Sequence, residues 1–105
     1  MKTPLRGEIW MVDLGMAAKV RQCLVLSVPV EESDRSLVTL IPHTTTLRQS
    51  RFEVAVSVRF LRPGAFDAQG IVTVPTARLI NRLGTLSAEQ IQAVANGLCL
   101  WLAST

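Results

Sequence analysis

The hydrophobic positions along the first three quarters of the chain follow the spacing of β-strands. In residues 8–14, Trp10, Val12 and Leu14 share one face, which is the two-residue period of a strand. Residues 22–28 are apolar on both faces, as expected of a central strand. Further strands are predicted over residues 36–42, 52–56 and 70–75.

The last quarter changes to a helical pattern. Residues 77–83 fit either a sixth strand or a helical turn. A helix is predicted to begin at Ser87, which with Gln90 has the pattern of a capping box. One helical stripe follows, interrupted by Gly97 at a cost of about 1 kcal/mol relative to alanine. Its apolar members are Ile91, Val94, Ala95, Leu98 and Leu102.

This order of elements predicts a mainly β fold with a C-terminal helix (α+β). Strands that come first and a helix that comes last favour a strongly bent antiparallel sheet of five to six strands. The helix is expected to pack across the open end of that sheet. A length of 105 residues indicates one domain, spanning residues 1–105.

Composition narrows the compartment and the chemistry. No apolar run reaches the roughly 18 residues needed to cross a bilayer, and residues 1–6 lack the apolar stretch of a signal peptide. We therefore expect a cytoplasmic protein without a membrane segment. Cys23 and Cys99 both lie in apolar stretches, which is typical of buried reduced thiols. With one histidine in the chain, we expect no metal site and no cofactor.

The charge permits a polyanionic partner without requiring one. The net charge is +3 and the isoelectric point is about 9.5. The arginines cluster, and the cluster fits either a solvated surface or a nucleic-acid contact. Its members are Arg48, Arg51, Arg59, Arg62, Arg78 and Arg82.

Three strings of residues resemble one known family. Residues 6–14 read Arg-Gly-Glu-Ile-Trp-Met-Val-Asp-Leu, residues 21–27 Arg-Gln-Cys-Leu-Val-Leu-Ser, and residues 41–46 Ile-Pro-His-Thr-Thr-Thr. In this order and spacing they resemble the toxin family of MazF and PemK (Kid), small endoribonucleases of bacterial type II toxin–antitoxin pairs. The resemblance implies a partly open SH3-like barrel of the CcdB/MazF/Kid type. It also implies a homodimer, single-stranded RNA as substrate, and a cognate antitoxin as partner.

The resemblance also assigns roles to individual residues. Arg21 and Thr44 fall on the family's catalytic arginine and threonine, and Thr45 falls on a neighbouring position that contacts phosphate. Glu8 falls on a glutamate that belongs to the site in one branch. The chain departs from the family pattern at His43, which stands where an aliphatic residue is usual, and at Gln22, which replaces a proline.

The chemistry of metal-free RNA cleavage accounts for part of this set. The 2′-hydroxyl must lose a proton, the leaving oxygen must gain one, and donors must stabilise the phosphorane. Arg21 provides a permanent planar cation for phosphate oxygens, and Thr44 provides a hydroxyl donor. Neither side chain is a good acid or base, so these two residues do not account for proton transfer. His43 has a suitable pKa, but strand alternation directs it to the face opposite Thr44, as in a structural or interface histidine.

The remaining predicted RNA-binding residues lie in loops or in the second half. Residues 44–51 form a loop rich in hydroxyls and cations, which fits either base and phosphate contact or an ordinary solvated hairpin. Arg78 matches the arginine of the family's Asp-Gln-x-Arg motif in one alignment and a later arginine in another. In the first alignment Pro75 replaces the aspartate, so the general base stays open. The predicted RNA-binding residues are Lys19, Thr45, Thr46, Arg48, Arg51 and Arg78.

Three alternative functions are therefore consistent with this barrel fold. The first is a toxin that cleaves single-stranded RNA without a metal, which Arg21 and Thr44 favour. The second is a non-enzymatic toxin resembling CcdB, in which a tryptophan near the C-terminus is important, as Trp101 could be here. The third is a catalytically decayed member that only binds its antitoxin, which the missing aspartate favours.

Overall fold

The computed structural model describes residues 2–15 and 19–103, so residues 16–18 of the loop before Lys19 lie outside the described part. Seven strands precede one helix within these residues. The strands are β1 (Glu8–Asp13), β2 (Val20–Val25), β3 (Leu37–Thr44), β4 (Glu53–Ala55), β5 (Ala65–Asp67), β6 (Val72–Pro75) and β7 (Leu79–Thr85). The helix, α1, spans Ala88–Leu102.

The strands form one antiparallel sheet in the order β4-β5-β3-β2-β1-β7, with β6 paired to β3 outside this path. The long strand β3 organises the sheet. Its first half pairs with β6, its middle with β2, and its last two residues, His43 and Thr44, pair with β5. The predicted antiparallel sheet with a C-terminal helix is confirmed, with seven strands in the described residues rather than five or six. The additional strand is β5, and residues 77–83 are divided between a 3-10 turn (Thr76–Arg78) and β7.

Both faces of the central strands are buried, because each face packs against a different layer. On one face Ile9, Leu24 and Ile41 lie in a row and pack under α1 and the 56–66 segment. On the other face Trp10 and Val12 pack with residues of β2, β3 and β7, and with the partly buried apolar side chains of β6. The predicted alternation in β1 therefore separates two cores rather than a core from solvent.

Helix α1 begins as the sequence predicts. The Ser87 hydroxyl accepts a hydrogen bond from the Gln90 N–H (3.2 Å), and the Gln90 side chain accepts one from the Ser87 N–H (2.9 Å), which completes a capping box. The buried stripe ends early, because Leu102 is 55% exposed. No helix in residues 2–15 and 19–103 is long and apolar enough to cross a membrane.

The two cysteines are free, and they differ in environment. Cys23 is fully buried and Cys99 is partly exposed. Burial raises the pKa of the Cys23 thiol to about 12, so this side chain behaves as an apolar core residue.

Candidate active site: a groove beside Arg21 and Thr44

One end of the central strands opens into a groove of about 700 Å³. Ile9, Leu24 and Ile41 form a row across β1, β2 and β3, and the same face continues two residues further along each strand. The side chains that follow are Met11, Gln22 and His43, and all three line the groove. The buried face of the sheet thus becomes a polar surface at this end, because two of these three side chains are polar.

The structure brings Arg21 and Thr44 to this same groove. Arg21 is exposed near the start of β2, opposite Val12 of β1. Thr44 is the last residue of β3, where its hydroxyl accepts a hydrogen bond from the Thr46 N–H (3.1 Å) and donates one to the Thr46 carbonyl (3.2 Å). Because β2 runs antiparallel to β3, the start of one strand and the end of the other lie at one edge of the sheet.

The loop after Thr44 provides the next wall of the groove. Thr45, Thr46 and Arg48 line it. The loop is held by the Glu53 carboxylate, which accepts hydrogen bonds from the backbone N–H groups of Arg48 (3.0 Å) and Ser50 (3.0 Å). The hydrogen bond from Arg48 N–H is the main cause of the lowered pKa of Glu53.

Two carboxylates face the groove, and the sequence interpretation identified neither as a site residue. Glu53 of β4 and Asp67 of β5 are direct register partners, and both line the groove. The opposite face of this hairpin packs under α1 through Val54 and Phe66. The signal in the sequence is the alternation in residues 52–56, where Phe52, Val54 and Val56 share one face and Glu53 lies on the other. The short strand β5 gave no comparable signal.

His43 also lines the groove, but its ring is held in the core beneath. The side chain is 4% exposed and makes an edge-to-face contact with Phe66 at 5.1 Å between centroids. Its Nε2 is enclosed and has no hydrogen-bond partner among the residues that the structure describes. Burial lowers the pKa of His43 below its ordinary value of 6.5. The ring is therefore neutral near pH 7.

Glu8 lies apart from the groove, on the Trp10 face of β1. It is 6% exposed and accepts hydrogen bonds from the Leu5 N–H (2.8 Å), the Trp10 Nε1–H (3.0 Å) and the Arg82 guanidinium (3.2 Å). Burial acts to raise the pKa of Glu8, but these three hydrogen bonds outweigh it, so the pKa lies below the ordinary value of 4.5. The three donors hold this carboxylate in place in its ionised form.

Three predicted RNA-binding residues are also not among the residues that line the groove. Lys19 is exposed and has a positive φ of 50°. The Arg51 guanidinium lies 4.7 Å from the centroid of the Phe52 ring. Arg78 lies 3.9 Å from the Asp13 carboxylate, and both side chains are about half exposed.

The residues gathered in the groove suit a phosphodiester. Arg21 and Arg48 are permanent cations, and neither is part of the two ion pairs found in the described part of the chain. Guanidinium groups bind phosphate oxygens in pairs, and the hydroxyls of Thr44, Thr45 and Thr46 can donate to the remaining oxygens.

Comparison with known proteins agrees with this geometry. Residues 5–102 match the family described as PemK-like, MazF-like toxin of type II toxin–antitoxin system. A probable endoribonuclease, MazF5 of Mycobacterium tuberculosis, is 32% identical over 100 residues, which cover 90% of this chain and 89% of that protein.

Solved structures give the same result. A mycobacterial endoribonuclease in complex with its cognate antitoxin superposes with a TM-score of 0.81 at 25% identity, covering 95% of each chain. The M. tuberculosis toxin MazF-mt6 superposes with a TM-score of 0.78 at 28% identity, covering 93% of this chain and 98% of that one. The chain therefore belongs to the PemK-like, MazF-like toxins of type II toxin–antitoxin systems.

Proposed function

We propose that this chain is the toxin of a type II pair and an endoribonuclease that cleaves single-stranded RNA without a metal, with Arg21 and Thr44 at the reacting phosphate. The observation that carries the proposal is the meeting of these two side chains in one groove with Thr45, Thr46 and Arg48. The relatives described as endoribonucleases support the same activity.

The groove supplies electrostatic stabilisation of the transition state. When the 2′-hydroxyl attacks the adjacent phosphorus, negative charge develops on the phosphorane oxygens. Arg21 donates two parallel N–H groups to those oxygens. The Thr44 hydroxyl donates a third hydrogen bond when its single proton turns from the Thr46 carbonyl to the phosphate. Because the guanidinium is a fixed charge, it stabilises the phosphorane without an added divalent ion. The products are a 2′,3′-cyclic or 3′-phosphate and a 5′-hydroxyl.

We assign Glu8 to the fold and not to proton transfer. Its carboxylate is enclosed among three donors on the Trp10 face, whereas a general base must reach the proton that it abstracts. Thr45, Thr46 and Arg48 bind the RNA within the groove. Lys19, Arg51 and Arg78 can contact only RNA that extends beyond it.

The biological setting follows from the family. We propose that the toxin works in the cytoplasm as a homodimer and is silenced by a cognate antitoxin. A mycobacterial relative is described as an endoribonuclease in complex with its cognate antitoxin, which supports the partner. The polar groove around Arg21 and Thr44 favours the enzyme over both a CcdB-like binder and a decayed member.

The direct test is RNA cleavage by the purified chain and its Arg21→Ala variant in EDTA. We expect the wild type to cut a long RNA and Arg21→Ala to cut about 10²–10³ times more slowly, which is the usual cost of losing one electrostatic donor. Arg35→Ala is the matched control, because Arg35 is exposed and is not among the residues lining the groove. Thermal unfolding of each variant shows whether the fold is intact. Normal cleavage by Arg21→Ala, or cleavage that returns only when Mg²⁺ is added, contradicts the proposal.

A further inference from the structure

Beside the groove lies a second hollow of about 340 Å³, which the proposed reaction leaves unused. It is lined by Leu14, Arg21, Pro42, Asp67, Gly70 and Val72. Four of these residues offer apolar surface or bare backbone. Arg21 and Asp67 line both this hollow and the groove, so they lie on the boundary between the two. A group that enters the hollow therefore remains next to the phosphate held by Arg21.

The hollow is open at Gly70 because this residue has no side chain. A Cβ added at Gly70 would lie 2.9 Å from the Pro42 Cγ and 3.4 Å from the Asp67 Oδ2. Any larger side chain there would occupy the space between the Pro42 ring and the Asp67 carboxylate. The Pro42 ring, with Leu14 and Val72, gives an apolar surface on which an aromatic ring can lie.

Asp67 brings an acceptor to this apolar hollow. Its Oδ1 accepts a hydrogen bond from the Gln69 N–H (3.1 Å), which fixes the carboxylate at the start of a 3-10 turn. Oδ2 takes part in none of the hydrogen bonds found in the described residues, and Asp67 is in neither of their ion pairs. Glu53, its register partner, is already engaged by backbone N–H groups. Asp67 is thus the carboxylate of the pair with an oxygen left for a ligand.

A free carboxylate at the edge of a phosphate-binding groove repels phosphates, so its ligand must be a donor. A carboxylate accepts hydrogen bonds and donates none. The exposed edges of unpaired RNA bases are the donors available next to the phosphate. Guanine presents two adjacent donors on its Watson–Crick edge, N1–H and the N2 amino group. Adenine and cytosine place one donor beside an acceptor, and uracil places one between two carbonyl oxygens.

From this arrangement we infer that the hollow is a nucleobase subsite and that Asp67 selects guanine next to the scissile phosphate. The inference rests on the proposed RNA cleavage and adds its base specificity. The guanine ring lies against Pro42, Leu14 and Val72. One of its two donors, N1–H and the N2 amino group, binds the free Oδ2 of Asp67, and the other binds the lone pair that Oδ1 keeps beside the Gln69 N–H. The phosphate stays at Arg21.

The first test is a cleavage profile on RNAs with randomised sequence, aligned at the cut sites. We expect guanine to be enriched at one position adjoining the cut. In Asp67→Asn we expect the preference for guanine over the other bases to fall by about 5- to 100-fold, the range for one bidentate base contact. Asparagine keeps the acceptor for Gln69 N–H but replaces one oxygen with a donor. Glu32→Gln, an exposed acid not among the residues lining the groove or the hollow, is the matched control.

The second test separates base recognition from catalysis. Short 2′-O-methyl RNAs that cannot be cleaved carry guanine, inosine or 7-deazaguanine at the selected position, and their dissociation constants are measured. Inosine lacks the N2 amino group and should bind more weakly, whereas 7-deazaguanine keeps both donors and should bind as guanine does. In Gly70→Ala, which narrows the hollow without changing a charge, the difference between guanine and inosine should shrink.

The outcomes distinguish the two proposals. A wild type that cuts RNA without a guanine preference, or an Asp67→Asn variant that keeps the preference, overturns the subsite and leaves the endoribonuclease standing. A wild type that cuts no RNA overturns the proposed function. Equal binding of the guanine and inosine oligonucleotides then overturns the subsite as well.

Discussion

At the scale of single residues, the polar side chains assigned by the family resemblance separate into those that face the groove and those that are buried in the core. Arg21 and Thr44 are placed at strand ends, where they face solvent in the groove. Glu8 and His43 are buried at 6% and 4% exposure, one with three hydrogen-bond donors and the other with an unpartnered ring nitrogen. These two residues therefore act on stability in different ways.

Glu8→Gln should destabilise the protein and leave the intrinsic cleavage rate unchanged. Glutamine keeps one acceptor oxygen but turns an amide N–H₂ toward donors that need an oxygen. A buried donor without a partner costs roughly 1–3 kcal/mol, so the free energy of unfolding should fall by about that amount. Urea unfolding measures the loss, and cleavage per folded molecule measures activity. Normal stability with lost cleavage would instead return Glu8 to the reaction.

His43→Leu should flatten the pH dependence of stability just below pH 6.5, the ordinary pKa of histidine. Burial depresses the pKa of His43 below its ordinary value of 6.5, so the unfolded chain binds this proton more readily than the folded protein does. The contribution of neutral His43 to the free energy of unfolding is therefore fully present above pH 6.5. It is lost as the pH falls toward the pKa of His43 in the folded protein. Glu8 and Glu53, whose pKa values are below 4.5, contribute the same sign at lower pH.

Urea unfolding of the wild type and of His43→Leu at a series of pH values tests this. The chain has one histidine, so the difference between the two proteins isolates it. Parallel curves across the window would show that His43 titrates normally in the folded protein.

At the scale of elements, helix α1 shows how packing overrides local preference. Gly97 is unfavourable in a helix by about 1 kcal/mol relative to alanine, yet it is buried where α1 crosses β4. A Cβ on Gly97 would lie 2.7 Å from the Val54 Cγ2. The helix can approach the edge strand this closely only because the side chain is missing.

Gly97→Ala should therefore lower stability despite the better helix propensity. Forcing a methyl group into a packed contact costs typically about 1–3 kcal/mol, which exceeds or cancels the gain of about 1 kcal/mol. Asn96→Ala is the control, because Asn96 is exposed one residue earlier in the same helix. We expect that variant to be neutral or slightly more stable in thermal unfolding. A clear rise in the melting temperature of Gly97→Ala would show that β4 moves away freely.

The elements that the sequence predicted well are those with strong local signals. The alternation of β1, the apolar β2 and the Ser87–Gln90 capping box depend on near neighbours in the chain. Strand β5 has three residues and follows a Pro-Gly turn, so its pairing with β3 and β4 is set by tertiary packing. The residues of the candidate site show the same difference between local sequence signals and tertiary packing. Arg21 and Thr44 were identified from motifs, whereas Asp67 became visible only when β5 was placed beside β4.

At the scale of the whole molecule, the cations of the groove would attract both RNA and any acidic segment of the antitoxin to the same surface. The net charge of +3 is small, but Arg21 and Arg48 line one groove. The carboxylates of Glu53 and Asp67 line the same groove, and Glu53 is already engaged by the Arg48 N–H. Local charge, rather than net charge, therefore decides what binds.

RNA and antitoxin should compete for the groove, and Arg48 and Arg51 should contribute unequally to both. Arg48 lines the groove, whereas Arg51 lies over the Phe52 ring outside it. Arg48→Ala should weaken binding of a 2′-O-methyl RNA and lower the slope of log affinity against log salt by about 1, as for one lost phosphate contact. Arg51→Ala, which removes the same charge from the same loop, is the matched control and should leave that slope nearly unchanged.

Titrating the co-expressed antitoxin against the labelled RNA at several salt concentrations should show displacement that weakens as salt screens both partners. Simultaneous binding of RNA and antitoxin, or equal slopes for the wild type and Arg48→Ala, would place the shared surface elsewhere on the protein.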